Sequence, residues 1–143
     1  MRIQVGDTIP SWSMDSVDPA RMKTMAAILR DPYPVHWDRS STEALGIGGR
    51  VVNQGPLNLS YVVNMLLLDC FGPSSIRRLT VSFGRPVLDG DRVVACGRVA
   101  ALSVHDGEMR ATCDVWLERN GEHVVDGTAV VATFDTYGAE RDE

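Results

Sequence analysis

The segment that most constrains the fold lies between Gly55-Pro56 and Gly72-Pro73. Leu57, Leu59, Tyr61, Val62, Val63, Met65, Leu66, Leu67, Leu68, Cys70 and Phe71 surround a helix there instead of forming one stripe. A helix apolar on most sides has to be covered on most sides. The flanking glycine–proline pairs supply its start and its stop. From about Arg77 the period changes to two, with Leu79, Val81 and Phe83 alternating with Thr80 and Ser82. Asp89-Gly90-Asp91 turns the chain into a strand from Arg92 to Val104, and His105-Asp106-Gly107 turns it again. Asn120-Gly121 is a two-residue hairpin signal. Between those turns Ala111, Cys113, Val115 and Leu117 take one face, and Thr112, Asp114, Trp116 and Glu118 the other. The last strand runs from about His123 to Phe134. Four consecutive hairpin-linked strands predict an antiparallel sheet.

One long apolar helix followed by an antiparallel meander predicts an α+β architecture, a sheet wrapped around a central helix in the manner of a hotdog fold. Such a sheet has edges, which dimerisation covers. The 143 residues fit one domain, expected over 1–138, with a charged tail over 139–143. A chain of this length buries roughly 70% of its unfolded surface and needs no metal or disulfide staple. Its 14 basic and 19 acidic residues give a net charge of −5. That balance argues against a nucleic-acid partner or an anionic membrane surface, both of which call for a basic face. Cys70, Cys96 and Cys113 lie in apolar runs without CxxC spacing and read as buried thiols of a reducing compartment. With no apolar run near ~18 residues and no apolar leader in Met1 to Asp7, the expectation is a soluble, cytoplasmic protein.

Upstream of the long helix, Asp18-Pro19 provides an N-cap and a first-turn proline for a helix through Leu29. Ser40-Ser41-Thr42-Glu43 fits a capping box opening a second, short helix that ends before Gly46. Between these helices stands Asp31-Pro32-Tyr33-Pro34-Val35-His36. Each proline fixes its own φ and pushes the residue before it out of helical geometry, so this is a stiff, extended elbow carrying one carboxylate and one imidazole. On its own it reads either as a helix-ending aspartate with a loop histidine, or as an acid/base pair. Gly55-Pro56 adds the start of a buried helix, where free N–H groups can hold a carbonyl oxygen that gains charge. Acid, histidine and helix start together make a candidate site for chemistry next to a carbonyl. His105 and His123 stand in or beside hairpin turns without ligand partners. Gly46-Ile47-Gly48-Gly49-Arg50 lacks the Lys-Ser/Thr of a phosphate loop and reads as a flexible lead into the long helix.

These residues resemble the MaoC-like, or (R)-specific, enoyl-CoA hydratase family of hotdog dehydratases. The family's aspartate, four residues and histidine match Asp31-Pro32-Tyr33-Pro34-Val35-His36, followed by Trp37-Asp38. Its helix-opening glycine with a serine five residues later matches Gly55-Pro56-Leu57-Asn58-Leu59-Ser60. Val5-Gly6-Asp7 and Arg85-Pro86-Val87-Leu88-Asp89-Gly90-Asp91 resemble the family's opening and its strand-linking turn. The resemblance covers nearly the whole chain. Arg30, Pro32, Tyr33 and Gln54 depart from the usual pattern and bear on pocket shape.

The resemblance implies a hydro-lyase that adds water across, or removes it to form, the double bond of a 2-enoyl thioester. Asp31 and His36 would hold and activate one water, and the Gly55 N–H would bind the thioester oxygen. Ser60 would hydrogen-bond the site, or be a small residue that permits close packing. Tyr33 would narrow or line the pocket, or simply pack the elbow. No metal or redox cofactor is implied; CoA or an acyl carrier enters as part of the substrate. Arg77, Arg78 and Arg85 could meet its phosphates but read more simply as solvated arginines flanking a strand. The partners implied are the acyl thioester and a second hotdog subunit, as homodimer or hetero-oligomer. A hotdog thioesterase, and a non-catalytic or half-site subunit that needs a partner chain, are the alternative readings.

Overall fold

Two tight hairpins organise the sheet. Asp106-Gly107 and Asn120-Gly121 all take positive φ, as two-residue turns between twisted strands require. They join β3 (Val93–His105) to β4 (Glu108–Arg119), and β4 to β5 (Glu122–Ala132). The structure, a computed structural model, describes residues 3–68 and 71–133. The expectations for Cys70, Phe134 and the 139–143 tail lie outside the described residues.

The five strands order as β1-β3-β4-β5-β2, with every pair antiparallel. Two features correct the sequence expectation. A strand not read there, β1 (Thr8–Met14), follows the Val5-Gly6-Asp7 motif and adds to the outer edge of β3. The strand β2 (Ile76–Phe83) pairs with β5 and not with its chain neighbour β3, so residues 84–92 pass from the β2 edge of the sheet across to β3 instead of forming a hairpin. Alternation in β2 specifies a half-buried strand but not which neighbour it joins.

The helix α3 (Gly55–Leu68) lies in the concave face of the sheet. Its Leu57, Tyr61, Val62, Met65 and Leu66 pack on Val93, Ala95 and Val99 of β3, Ala111, Cys113, Val115 and Leu117 of β4, and Val125, Ala129 and Val131 of β5. Each large apolar side chain fully buried in this way contributes about 1.5–3 kcal/mol. Close approach of helix to sheet depends on Gly97, where a Cβ would stand 2.9 Å from Ile9 Cδ1 and 3.2 Å from Met65 Cε. Coverage of α3 is one-sided: Leu59, Val63 and Leu67 are half-buried and Leu68 is exposed. Cys113 is buried and Cys96 half-buried. No helix among the described residues is long and apolar enough to cross a membrane.

Candidate active site

Asp31 is placed by the end of α1 (Pro19–Leu29). Asp18 caps the start of that helix, its carboxylate accepting from the Ala20 N–H at 2.8 Å. Arg30 ends the helix in the left-handed region at φ 52°. Its N–H and that of Asp31 close back on the carbonyls of Ala27 and Ala26, and Pro32 forbids a further turn. The Asp31 Oδ1 then accepts from the Tyr33 N–H at 3.0 Å. One carboxylate oxygen is thereby spent on the local turn, and Oδ2 is left to face His36.

His36 closes a single 3-10 turn, Pro34–His36, so the elbow is extended only as far as Tyr33. Val35 in this turn is buried and anchors it. Residue 52 grips the turn from both sides: the Val52 N–H donates to the Val35 carbonyl at 2.8 Å, and the Val52 carbonyl faces His36 Nδ1 at 2.7 Å. A carbonyl can only accept, so Nδ1 carries a proton, and in the neutral ring Nε2 presents a lone pair. That Nε2 lies 3.6 Å from Asp31 Oδ2. The distance exceeds a direct hydrogen bond. The Tyr33 ring stands edge-on to the imidazole at 5.9 Å; it is exposed and lies outside the cleft described below.

The short helix α2 (Arg39–Ala44) follows. Its cap is Asp38 and not the serine box expected from the sequence: the Asp38 carboxylate accepts from the Ser40 N–H and from the hydroxyls of Ser40 and Ser41. The Ser40 hydroxyl is the largest of the effects that hold the Asp38 carboxyl below its usual range.

Gly55 is the first residue of α3, and its N–H has no intrahelical acceptor. Pro56 has no N–H to offer, and the next two donors, from Leu57 and Asn58, are taken by the Gln54 carbonyl at 3.0 and 3.1 Å. The helix start therefore presents the Gly55 N–H as its unspent donor. A side chain here would put Cβ 3.2 Å from Phe83 Cζ, so the Phe83 ring would have to shift to admit it. Gly55 and His36 line one cleft of about 360 Å³ together with Val52, Asn53, Asn58 and Phe83. Ser60 lies outside that lining, and its hydroxyl donates to the Leu57 carbonyl at 2.7 Å. Asp31, Pro32 and Trp37 border a neighbouring groove of about 440 Å³ along α1.

Two groups in and under the cleft, Asn53 and Tyr61, were not singled out as site residues in the sequence, and Gln54 was noted there only as a departure bearing on pocket shape. Asn53 is buried, and its Nδ2 donates to Asn58 Oδ1 at 2.8 Å and to Tyr61 Oη at 3.2 Å. Burial raises the Tyr61 hydroxyl above its ordinary pKa, with the Asn53 hydrogen bond opposing, and Trp12 stacks on the Tyr61 ring. Gln54, in the position where many hydratases of the resembling family carry histidine, turns inward instead: its Nε2 donates to the Met22 carbonyl at 2.8 Å, tying α1 to the start of α3. The arginines weighed as phosphate contacts separate. Arg77 is paired with Glu108, Arg85 pairs with Glu122 at 2.7 Å beside the cleft, and Arg78 is exposed on β2.

No protein-family model matches the sequence, and no curated protein sequence matches it. Solved structures do. An (R)-hydratase from A. caviae involved in PHA biosynthesis is 28% identical with a TM-score of 0.78, covering 92% of this chain and 97% of that one. The unliganded R-hydratase PhaJ1 from Pseudomonas aeruginosa is 23% identical with a TM-score of 0.80, over 99% of this chain and 89% of that one. The ChsH1-ChsH2 complex from Mycobacterium tuberculosis is 26% identical with a TM-score of 0.76, over 92% and 99%. MaoC-like dehydratases are among the matches as well. The fold is thus the hotdog fold, shared with solved hydratases and dehydratases. The solved structures that the chain is similar to include MaoC-like dehydratases and (R)-hydratases.

Proposed function

We propose that the protein is a hydro-lyase acting on 2-enoyl thioesters, with Asp31 and His36 as the catalytic pair and Gly55 as oxyanion donor. The observation that carries this reading is the tautomer of His36. With its Nδ1–H held by the Val52 carbonyl, Nε2 and Asp31 Oδ2 are two acceptors 3.6 Å apart. Two acceptors at that spacing suit one water, which has two hydrogens to give. In hydration the water oxygen bonds C3 of the enoyl group as its O–H breaks towards the pair, and C2 receives a proton from the pair. Both residues end as they began. Charge that passes to the thioester oxygen meets the Gly55 N–H; a donor of this kind is typically worth about 3–4 kcal/mol, and positioned acid/base help about 10²–10⁴-fold. Dehydration is the reverse path. CoA or an acyl carrier protein is the carrier, as part of the substrate, and no further cofactor is required.

The partner in this reading is a second hotdog subunit. The half-covered Leu59, Val63 and Leu67 of α3 and the free edge of β2 support it, since both present surface that another chain can cover. One match is a complex of two named chains, so a different subunit is as admissible as a copy. Mixing the purified protein with a short 2-enoyl-CoA and following enoyl absorbance tests the reaction. Release of free thiol without loss of the double bond would instead identify a thioesterase. Inertness alone, with activity on adding a second hotdog chain, would identify a half-site subunit.

A further inference from the structure

The His36 tautomer depends on where the Val52 carbonyl stands, and residue 52 is held from outside the site as well as by its hydrogen bond to Val35. Residues 51–53 run antiparallel to 87–89: the Asn53 N–H donates to the Val87 carbonyl at 2.7 Å, the Asp89 N–H to the Val51 carbonyl at 2.9 Å, and Val52 bridges Leu88. At the end of this ribbon sits Asp89, a carboxylate whose side chain is only 10% exposed. Arg39, three residues after His36, meets its Oδ2 at 2.7 Å, and Arg50, two residues before Val52, stands 3.7 Å from its Oδ1. Arg50 also donates from Nε to the Asp89 carbonyl at 2.9 Å and pairs with Asp91 at 2.6 Å. Asp91 is fixed in turn by Arg119 at 2.8 Å and the Leu88 N–H at 2.9 Å. Each of the two segments that meet at the Nδ1–carbonyl hydrogen bond therefore brings an arginine to residue 89: Arg39 binds the carboxylate, and Arg50 binds the backbone carbonyl and stands near Oδ1, which has no hydrogen-bond partner.

We propose that Asp89, through Arg39 and Arg50, is a positioning residue for His36: it holds residues 36 and 52 in register so that one tautomer is kept. The inference deepens the hydratase reading and rests on it for its effect on turnover. Asp89 touches no substrate. Only the carboxylate is buried, and a buried carboxylate needs its charge met, which favours the one arrangement that brings Arg39 to it. It also accounts for the glycine-rich lead at 46–50 ending in a pinned Arg50 and not in a free loop.

The test compares the wild type with Asp89→Asn, Arg39→Met and Arg39→Lys. Arg39 is more than half exposed, so its replacement leaves no cavity and the fold survives even where Asp89→Asn weakens it. The surface pair Arg92–Asp15 supplies Arg92→Met as a control with unchanged activity. Two readouts are taken: kcat and KM on a short 2-enoyl-CoA, and the ring-nitrogen NMR signals of His36, assigned by their loss in His36→Gln. The expected result is a fall in kcat of about 10–100-fold with KM within about threefold. It should be accompanied by a shift of His36 from a single Nδ1–H tautomer to a mixture, with Arg39→Lys restoring most of both. If Asp89→Asn and Arg39→Met leave the tautomer single, or change it without lowering kcat, the proposal is overturned. If the wild type turns over no thioester, the hydratase reading fails separately and the tautomer alone decides: a mixture in the variants supports the positioning role and an unchanged signal removes it.

Discussion

Replacing Asp31 with asparagine tests the water-holding pair with almost no change in shape, and the structure says which way the new amide must face. Asp31 Oδ1 accepts from the Tyr33 N–H at 3.0 Å. An NH₂ group cannot take that place, because it would meet another donor, so the amide oxygen stays on Tyr33. The NH₂ then falls where Oδ2 was, 3.6 Å from His36 Nε2. A small rotation lets it donate directly to the lone pair that the water requires. Asp31→Asn thus removes one acceptor and occupies the other. With acid/base help worth about 10²–10⁴-fold, the expected loss in kcat is about 10³-fold, or about 4 kcal/mol of transition-state stabilisation. The fold should scarcely notice. The turn hydrogen bond is kept and the Asp31 side chain is 31% exposed, so stability should change by no more than about 0.5 kcal/mol, and Tm by about 2 °C. Asp31→Ala provides the contrast: it loses the Tyr33 contact and melts earlier, yet leaves the His36 lone pair free, so its residual activity should exceed that of Asp31→Asn. Enoyl absorbance and a thermal melt measure both. Activity in Asp31→Asn above about a tenth of wild type would refute the argument, as would a melt lowered so far that the carboxylate proves structural.

Three further outcomes follow from the packing. Tyr61→Phe removes an acceptor of the buried Asn53 amide and leaves an N–H without a partner, which should cost about 1–3 kcal/mol in denaturant unfolding; an unchanged midpoint would mean that the Asn53 network is not part of the fold's stability. Gly97→Ala forces a methyl to within 2.9 Å of Ile9 Cδ1 and 3.2 Å of the Asp114 carbonyl, and overpacking of this kind should destabilise by about 1–3 kcal/mol while leaving secondary structure by circular dichroism intact. Glu108 is held at about 2 by the Arg77 hydrogen bond first and Arg110 second. Since its folded value is depressed, its contribution is complete above the unfolded value, roughly 4.3, and is lost as pH falls towards 2. Glu108→Gln should therefore flatten the acid limb of a Tm–pH profile in that window and leave the neutral region unchanged in slope.

What the sequence could disclose was the part written in local chemistry. The helix at 55–68 was legible because glycine and proline mark its start and its apolar residues leave no polar face. The two hairpins were legible because Asp-Gly and Asn-Gly are nearly the only residues that accept positive φ at both turn positions. The strand β1 was not, since Thr8 to Met14 contains a proline and only a weak alternation, and its identity comes from the β3 edge that it meets. The partner of β2 was illegible for a related reason: a period of two fixes which face is buried and says nothing about which edge is joined. The cap of α2 was missed by two residues because Asp38 and the serines after it all offer oxygen, and the carboxylate, accepting three hydrogen bonds at once, wins.

The same distinction runs through the site. Asp31, His36 and Gly55 could be named because the proposed chemistry is written in their side chains, or the want of one. The group that decides what His36 can do is the carbonyl of Val52, and a backbone carbonyl has no letter in the sequence. Its place is set by residues 87–89, some thirty-five positions away, through a ribbon that any residue types could form. The charges that hold the ribbon are legible only afterwards, as Arg39, Arg50 and Asp89. A hotdog chain can therefore keep the acid–histidine pair and lose the tautomer if its connection at 84–92 is rebuilt. Function in this fold rides on a site more than on the scaffold. Here the site reaches beyond its motif to a carboxylate fifty-three positions from His36, which is where a comparison between active and inactive members of the fold should look first.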